Sequence, residues 1–193
     1  PRTNWARSVP HPVLIGHAAS ISQAESLSVA FTYDAITVTA LSPGNSPTQP
    51  GGDVTVYGVN FGTFDSTPEV SLGSTASSAT NWIDQTCSGV SRAVCWVSDN
   101  QLVFRPPYGA GVDRSLSATV LDATSTLPSA FTYDPPTFTA TNPSNGVTAG
   151  GTRITIYGSN FGTPDDAQSA TFDGQARTVT YGSHAVATIT SPA

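Results

Sequence analysis

Hydrophobic and polar positions alternate along short stretches of the chain, as they do in β-strands with one buried face. Ile36, Val38 and Ala40 alternate with threonines, and residues 54–57 form a run of β-branched and aromatic side chains. Further strands are predicted at residues 70–72, 94–97, 102–104, 116–121 and 127–133. No stretch shows a sustained 3.6-residue period. The pattern predicts an all-β chain with almost no helix.

One glycine interrupts this alternation at a fixed place. Val54 and Val56 point to the same side of their strand, whereas Phe61, the next large apolar residue, has the opposite parity. Gly58 lies between them. A glycine inside a strand often marks a bulge or corner, so we expect one here that returns Phe61 to the core.

A repeat with an offset of 100 residues runs through the chain without a gap. Ala-Phe-Thr-Tyr-Asp at residues 30–34 recurs at 130–134, and Asn-Phe-Gly-Thr at 60–63 recurs at 160–163. A register held over this distance indicates duplicated structural units.

Three pieces of the sequence, taken in order, resemble the IPT/TIG family, an immunoglobulin-like fold shared by plexins and Rel-type transcription factors. They are Pro43 with Gly51-Gly52 and residues 54–62, then residues 97–107 with Gly109 and Gly111, and finally residues 131–135. The resemblance implies tandem immunoglobulin-like β-sandwiches. In this family the domain usually serves as a spacer or interaction module of cell-surface proteins, so the resemblance is specific for fold and weak for function.

The repeat divides the chain into residues 1–34, a complete domain at 35–134 and a partial domain at 135–193. We call the last two the first domain and the second domain. The second domain stops at residues 188–192, which resemble 102–106, just before the last two strands of the first domain. Residues 13–15 and 27–33 resemble those last two strands. The end of the chain therefore lacks what its beginning carries.

Two accounts fit this arrangement. The chain is a segment of a longer array of repeats, or residues 1–34 of one copy complete the open second domain of a neighbour by strand donation. The predicted donor side chains are Leu27, Val29, Phe31 and Tyr33. Burying each of them would contribute about 1.5–3 kcal/mol, or roughly 6–12 kcal/mol together before ordering costs. Either account gives a linear array.

The charge of the chain excludes several partners. The net charge is −6, and the seven basic residues are all arginines. Nucleic acids and anionic membrane surfaces require clusters of Lys and Arg, so neither is an expected partner. No run of 18 apolar residues is present, so we expect no membrane span in this segment.

Cys87 and Cys95 are the only cysteines, and they lie in an insertion that the second repeat lacks. An even pair in a secreted protein is typical of a disulfide that closes a loop, and two free buried thiols are the alternative. The family resemblance implies an extracellular or cell-surface location for the chain.

Ser-Pro and Thr-Pro steps are abundant, and they suit O-linked sugars or glycosylated hydroxyproline; simple turns are the alternative. The candidate positions are Ser42, Pro43, Ser46, Pro47, Thr67, Thr163 and Ser191. The only outline of an N-glycosylation site, at residues 142–144, has a proline in its middle position, which forbids it. Covalent glycans are thus a candidate partner.

We identify no catalytic, cofactor-binding or metal-binding residues, and we expect no cofactor and no enzyme activity. Three histidines lack a metal or nucleophile spacing, an Asp pair favours a turn over a calcium site, and three tryptophans favour core or interface positions over a sugar platform. These residues are His11, His17, His184, Asp165, Asp166, Trp5, Trp82 and Trp96.

The leading functional hypothesis is a structural component of an extracellular fibril, stalk or surface coat, assembled end to end from copies of itself or from adjacent repeats. The first alternative is an adhesion or ligand-binding ectodomain in which the repeats act as a spacer of a cell-surface receptor. The second alternative is a carbohydrate-binding accessory module of a secreted enzyme.

Overall fold

The structure, a computed structural model, describes residues 11–17, 20–31, 33–73, 75–76, 85–87, 90–166 and 168–192. The regular secondary structure of these residues consists of β-strands, as the alternation pattern predicted. They are β1 (His11–His17), β2 (Ser20–Phe31), β3 (Thr37–Ser42), β4 (Asn45–Ser46), β5 (Val54–Val59), β6 (Glu69–Leu72), β7 (Thr75–Ala76), β8 (Gln85–Cys87), β9 (Val90–Arg92), β10 (Val94–Ser98), β11 (Gln101–Phe104), β12 (Arg114–Val120), β13 (Ala123–Tyr133), β14 (Thr137–Asn142), β15 (Arg153–Ser159), β16 (Ala170–Phe172), β17 (Gln175–Arg177), β18 (Thr180–Ser183) and β19 (Val186–Thr190).

The first domain is a sandwich of two sheets, which confirms the predicted fold class. One sheet has the order β10-β11-β5-β3, and the other has the order β4-β13-β12-β6-β7. Inward-facing side chains of both sheets form a single core, because alternate residues of each strand face the partner sheet. The fully buried members of this core are Val54, Val56, Phe61, Leu102, Phe104, Leu116, Ala118 and Val120.

The corner predicted at Gly58 is present. The pairing of β3 with β5 slips between Val38 and Ala40, opposite residues 57–58. A Cβ on Gly58 would overlap the ring of Phe61 and the backbone carbonyl of Thr37. Only glycine therefore lets the phenylalanine ring fold back onto the core here, and Gly158 has the same close neighbours in the second domain.

The chain passes through the first domain from one end to the other. The start of β3 lies beside the start of β13, where the Val38 amide donates to Ser125 Oγ at 3.0 Å. Two residues after β3, β4 pairs in parallel with the end of β13, with Ser46 opposite Tyr133. The N-terminal and C-terminal ends of the domain therefore lie at opposite poles, so that successive domains follow one another end to end.

The second domain repeats only part of this sandwich. Its four-stranded sheet, β14-β15-β19-β18, corresponds to β3-β5-β11-β10, and its β16–β17 hairpin corresponds to β6–β7. Phe172 pairs with Gln175 in this hairpin, and Leu72 pairs with Thr75 in β6–β7. The strand pairing thus keeps the offset of 100 residues. Among the described residues of the second domain, no strand corresponds to β12 or β13.

Strands β1 and β2 form a separate two-stranded antiparallel sheet with the register of β12–β13. His11 pairs with Phe31 and Val13 with Leu27; in the first domain, Arg114 pairs with Phe131 and Leu116 with Leu127. Both hairpins carry a register shift between these two pairs. The β1–β2 hairpin thus has the pairing of the two strands that the second domain lacks. A two-stranded hairpin on its own is at best marginally stable in water.

The insertion in the first domain contains a disulfide between Cys87 and Cys95, with their Cα atoms 5.3 Å apart. Cys87 ends β8 and Cys95 lies in β10, so the bond fixes the β8–β9 hairpin to the edge of the four-stranded sheet. It therefore restricts the insertion without entering the main core.

Candidate interaction groove in the second domain

The second domain has an open groove where β12 and β13 would lie in the first domain. The groove has a volume of about 1150 Å³ and is mainly apolar. The large apolar side chains that line it include Phe138, Ile154, Ile156, Phe161, Phe172 and Ile189. Their arrangement is that of a sandwich core whose second sheet is incomplete.

Residues along the groove are more exposed than their counterparts in the first domain. Phe138 is 71% exposed, whereas Val38 at the equivalent position is 5% exposed. Phe172 is 38% exposed, whereas Leu72 is 4% exposed. In the first domain, β12 pairs with β6 along residues 69–72. Strand β16, the counterpart of β6, has no such neighbour among the described strands.

The segment 143–149 at one edge of the groove is also exposed along its whole length. Its counterpart, residues 43–49, includes Ser46 and Thr48, which are 4% and 1% exposed. That counterpart is held against β13, since the Thr132 amide donates to the carbonyl of residue 44 at 3.0 Å and the Asp134 amide donates to that of Ser46 at 2.8 Å. The exposed segment therefore lacks the same neighbouring strand as the rest of the groove.

The register assigns first-domain counterparts to the predicted donor side chains. Leu27 corresponds to Leu127, Phe31 to Phe131 and Tyr33 to Tyr133, three residues that pack in or against the first core. Tyr33 itself is 43% exposed, whereas Tyr133 is 5% exposed.

Val29 does not follow this pattern. Its counterpart, Ser129, is exposed and has a φ of 48°. By correspondence, we do not expect Val29 to face the groove. Val13 and Ile15 of β1 correspond instead to Leu116 and Ala118, both fully buried, and these two were absent from the predicted donor set.

Tyr133 shows how the closing strand is anchored. Its hydroxyl donates to the carbonyl of Pro107 at 3.1 Å, and its ring meets Phe131 edge to face at 5.2 Å between centroids. Burial raises the pKa of Tyr133 to about 12; Arg114 acts in the opposite direction and Asp166 adds to the increase.

This pKa predicts a loss of stability at alkaline pH. Because the pKa is about 10 in the unfolded chain and higher in the folded one, the contribution of Tyr133 is constant below pH 10 and declines between about pH 10 and 12. We expect the free energy of unfolding of the first domain to fall by about 2–3 kcal/mol across that range. Urea unfolding at a series of pH values would measure the decline, which Tyr133→Phe should remove. An unchanged decline in that variant would assign it to other groups.

The two domains contact each other through a small set of polar side chains. The Thr48 amide donates to Asn160 Oδ1 at 3.4 Å, and the side-chain amide of Gln49 contacts Nδ1 of His184. Asn160 also donates through Nδ2 to the carbonyl of Pro135 at 3.2 Å, as Asn60 does to that of Ala35 at 2.9 Å. We call the contacts of Thr48 with Asn160 and of Gln49 with His184 the domain joint. No sequence pattern predicted a role for the asparagine, glutamine or histidine of this joint.

The candidate glycosylation positions differ in accessibility. Ser46 is buried, so its hydroxyl is closed to a sugar in the folded domain, which counts against that position. Thr163 donates through Oγ1 to Asp166 at 3.0 Å, and Ser191 accepts from the Thr152 amide at 3.1 Å. The exposed candidates are Ser42, Pro43, Pro47 and Thr67. Modification at those positions stays a prediction.

The remaining candidates are placed as follows. Asp166 accepts from both the amide and the hydroxyl of Thr163, which closes a local turn. The described residues contain no group of three His, Cys, Asp or Glu side chains that could hold a metal ion. Trp96 packs partly buried against the first core, whereas Trp5 and Trp82 lie outside the described residues.

A family model for the IPT/TIG domain matches residues 37–133 and again residues 136–193. The chain belongs to the IPT/TIG family. It therefore contains two tandem TIG domains, and the TIG domain is a non-catalytic, immunoglobulin-like module. The resemblance read from the sequence is confirmed.

Several solved structures are similar to the TIG repeat chain. The full extracellular region of plexin A4 is 18% identical, with a TM-score of 0.37, over 81% of this chain and 15% of that protein. SGBP-B from a complex xyloglucan utilization locus in Bacteroides uniformis is 21% identical, with a TM-score of 0.34, over 82% of this chain and 43% of that protein. An auxiliary nutrient binding protein from Bacteroides thetaiotaomicron is 18% identical, with a TM-score of 0.36, over 54% and 22%.

The TIG repeat chain thus spans less than half the length of each of these proteins. No curated protein matches the chain. In the part of the chain that the structure describes, no helix has the length and apolar character needed to cross a bilayer.

Proposed function

We propose that this chain is a non-enzymatic, structural TIG repeat protein of an extracellular fibril, stalk or surface coat, and that its copies assemble end to end by hairpin donation. The β1–β2 hairpin of one copy enters the groove of the second TIG domain of the preceding copy. One observation carries the proposal: the groove exposes residues whose counterparts are covered by β12–β13, and β1–β2 has the register of those two strands.

The geometry of the first domain favours insertion of the hairpin into the groove of a neighbouring copy over insertion into the groove of its own chain. Phe31 precedes Thr37, the start of β3, by the same number of residues as Phe131 precedes Thr137, the start of β14, so we assign the hairpin to the N-terminal pole of the first domain. The groove belongs to the domain that follows the C-terminal pole. A contact between different surfaces of two copies does not close on itself when the poles are opposite, so it extends into a linear polymer.

The disulfide of the insertion supports the proposed extracellular location. The bond between Cys87 and Cys95 supports an oxidising compartment, such as the outside of a cell. The passage of the chain from pole to pole also supports a second candidate function, a spacer in an adhesion or ligand-binding ectodomain. In that case the closing strands come from an adjacent repeat, and the groove is filled in the same way.

The test is the association state of the purified 193-residue chain. Sedimentation velocity over roughly 1–100 μM should show concentration-dependent growth, because one-to-one head-to-tail contacts give an open polymer. Electron microscopy should show thin, unbranched filaments. The 11 residues of β13 span about 36 Å, so two domains give an axial repeat of roughly 70–80 Å. A folded monomer across the whole concentration range would overturn hairpin donation.

A further inference from the structure

The first-domain counterpart of the exposed segment 143–149 makes a hydrogen bond that indicates what this segment binds. In the first domain, Asn45 Nδ2 donates to Asp134 Oδ1 at 2.7 Å, across the parallel pairing of β4 with β13. This bond joins the segment that precedes β5 to the residue that directly follows the closing strand. It is a charge-assisted hydrogen bond, the stronger of the two general kinds.

Both partners of that bond recur in the repeat. Asn145 occupies the position of Asn45, and Asp34 occupies the position of Asp134. Asp34 and Asn145 are both exposed in the structure. They cannot meet within one chain while Asp34 precedes the first domain and Asn145 lies beyond its C-terminal pole.

We propose that Asn145 of one copy and Asp34 of the next copy form a latch that closes after hairpin donation. The partner is a second copy of this chain, and the inference rests on the proposed function. Residues 145–146 pair in parallel with the end of the donated strand β2, and Asn145 Nδ2 then donates to Asp34 Oδ1. Segment 143–149 takes up the conformation of residues 43–49, in which Ser46 and Thr48 are buried.

The latch gives the contact a fixed register. The side chains of a strand alternate between its two faces, so a hairpin that entered one residue out of register would present its polar face to the groove. Such a hairpin would also carry Asp34 away from Asn145. The latch therefore closes only in the register that buries Phe31 and Tyr33.

A charge variant tests the latch. Asn145→Asp places a carboxylate opposite Asp34 and removes the donor, so we expect end-to-end association at low salt to weaken about five- to tenfold. In the double variant Asn145→Asp/Asp34→Asn, donor and acceptor exchange places, and association should return to within about threefold of the original. Sedimentation equilibrium measures all three dissociation constants.

The matched control is Asn45→Asp, which creates the same repulsion with Asp134 inside the first domain. It should lower the stability of that domain and leave association within about threefold. The latch is wrong if Asn145→Asp does not weaken association, or if the double variant stays as weak as the single one. In either case hairpin donation still stands, provided the unmodified chain polymerises. If the unmodified chain stays monomeric, donation and latch fail together.

Discussion

We expect Phe31→Asp to abolish the proposed end-to-end association of the 193-residue chain. Phe31 occupies the position of Phe131, which is 1% exposed at the centre of the first core. An ionised carboxylate at this position would be buried in the apolar groove without a partner, and such burial costs far more than the phenylalanine contributes. Sedimentation velocity should therefore report monomer at concentrations where the unmodified chain is polymeric, a loss of at least about 100-fold in affinity.

The matched control for this prediction is Val29→Asp, on the same strand and with the same change in charge. Its counterpart Ser129 is exposed, so we expect association to change by less than about threefold. Equal losses for the two variants would mean that charge on the hairpin matters and its register does not. If the Phe31→Asp variant still forms polymers, the groove is not the binding site of the hairpin.

Phe61→Ala and Phe161→Ala, equivalent substitutions in the two domains, have unequal effects in the monomer. Phe61 is fully buried, and its truncation should lower the free energy of unfolding of the first domain by about 3–5 kcal/mol. Phe161 is only half buried and contacts Phe138 at 5.8 Å between ring centroids, beside the open groove. Part of its surface is already in contact with water, so we expect roughly half that cost.

Hydrogen exchange resolved by domain would measure both costs, in a background that carries Phe31→Asp to keep the chain monomeric. In polymers of the unmodified background, Phe161→Ala should cost as much as Phe61→Ala because the groove is then covered. Equal costs in the monomer would show that the second core is already closed without a second copy.

The sequence predicted those parts of the fold that depend on local pattern. Alternation identified the strands, and the parity change across Gly58 identified the corner, because only a residue without Cβ fits against Phe61 there. The repeat also showed that residues 27–33 resemble the last strand of the first domain, at 127–133. These conclusions need only the order of residue types along one chain.

The predicted set of donor side chains depends on a strand register that alternation alone does not reveal. Strict alternation from Leu27 to Tyr33 places Val29 on the same face as its neighbours. In the first domain the strand is irregular at the equivalent position, since Ser129 has a left-handed φ and the β12–β13 register shifts nearby. A register shift changes which residues face the core, and nothing in the residue types of 27–33 signals it.

The joint and the segment 143–149 were also beyond sequence reasoning. Gln49 and His184 are 135 positions apart and meet only because one domain packs against the next. Segment 143–149 has the polar composition of an ordinary loop. Comparison with the folded counterpart at 43–49 was needed to show that it lacks a neighbour.

The domain joint has a mechanical consequence for a polymer. Within one chain, Gln49 contacts His184, whereas the same positions at a boundary between copies hold Ala149 and Asp99. Ala149 has no polar side chain, and the Asp99 carboxylate already accepts from the amide of residue 62 at 2.7 Å. A filament of these chains would thus alternate stiffer and softer hinges, and its curvature would concentrate at every second boundary.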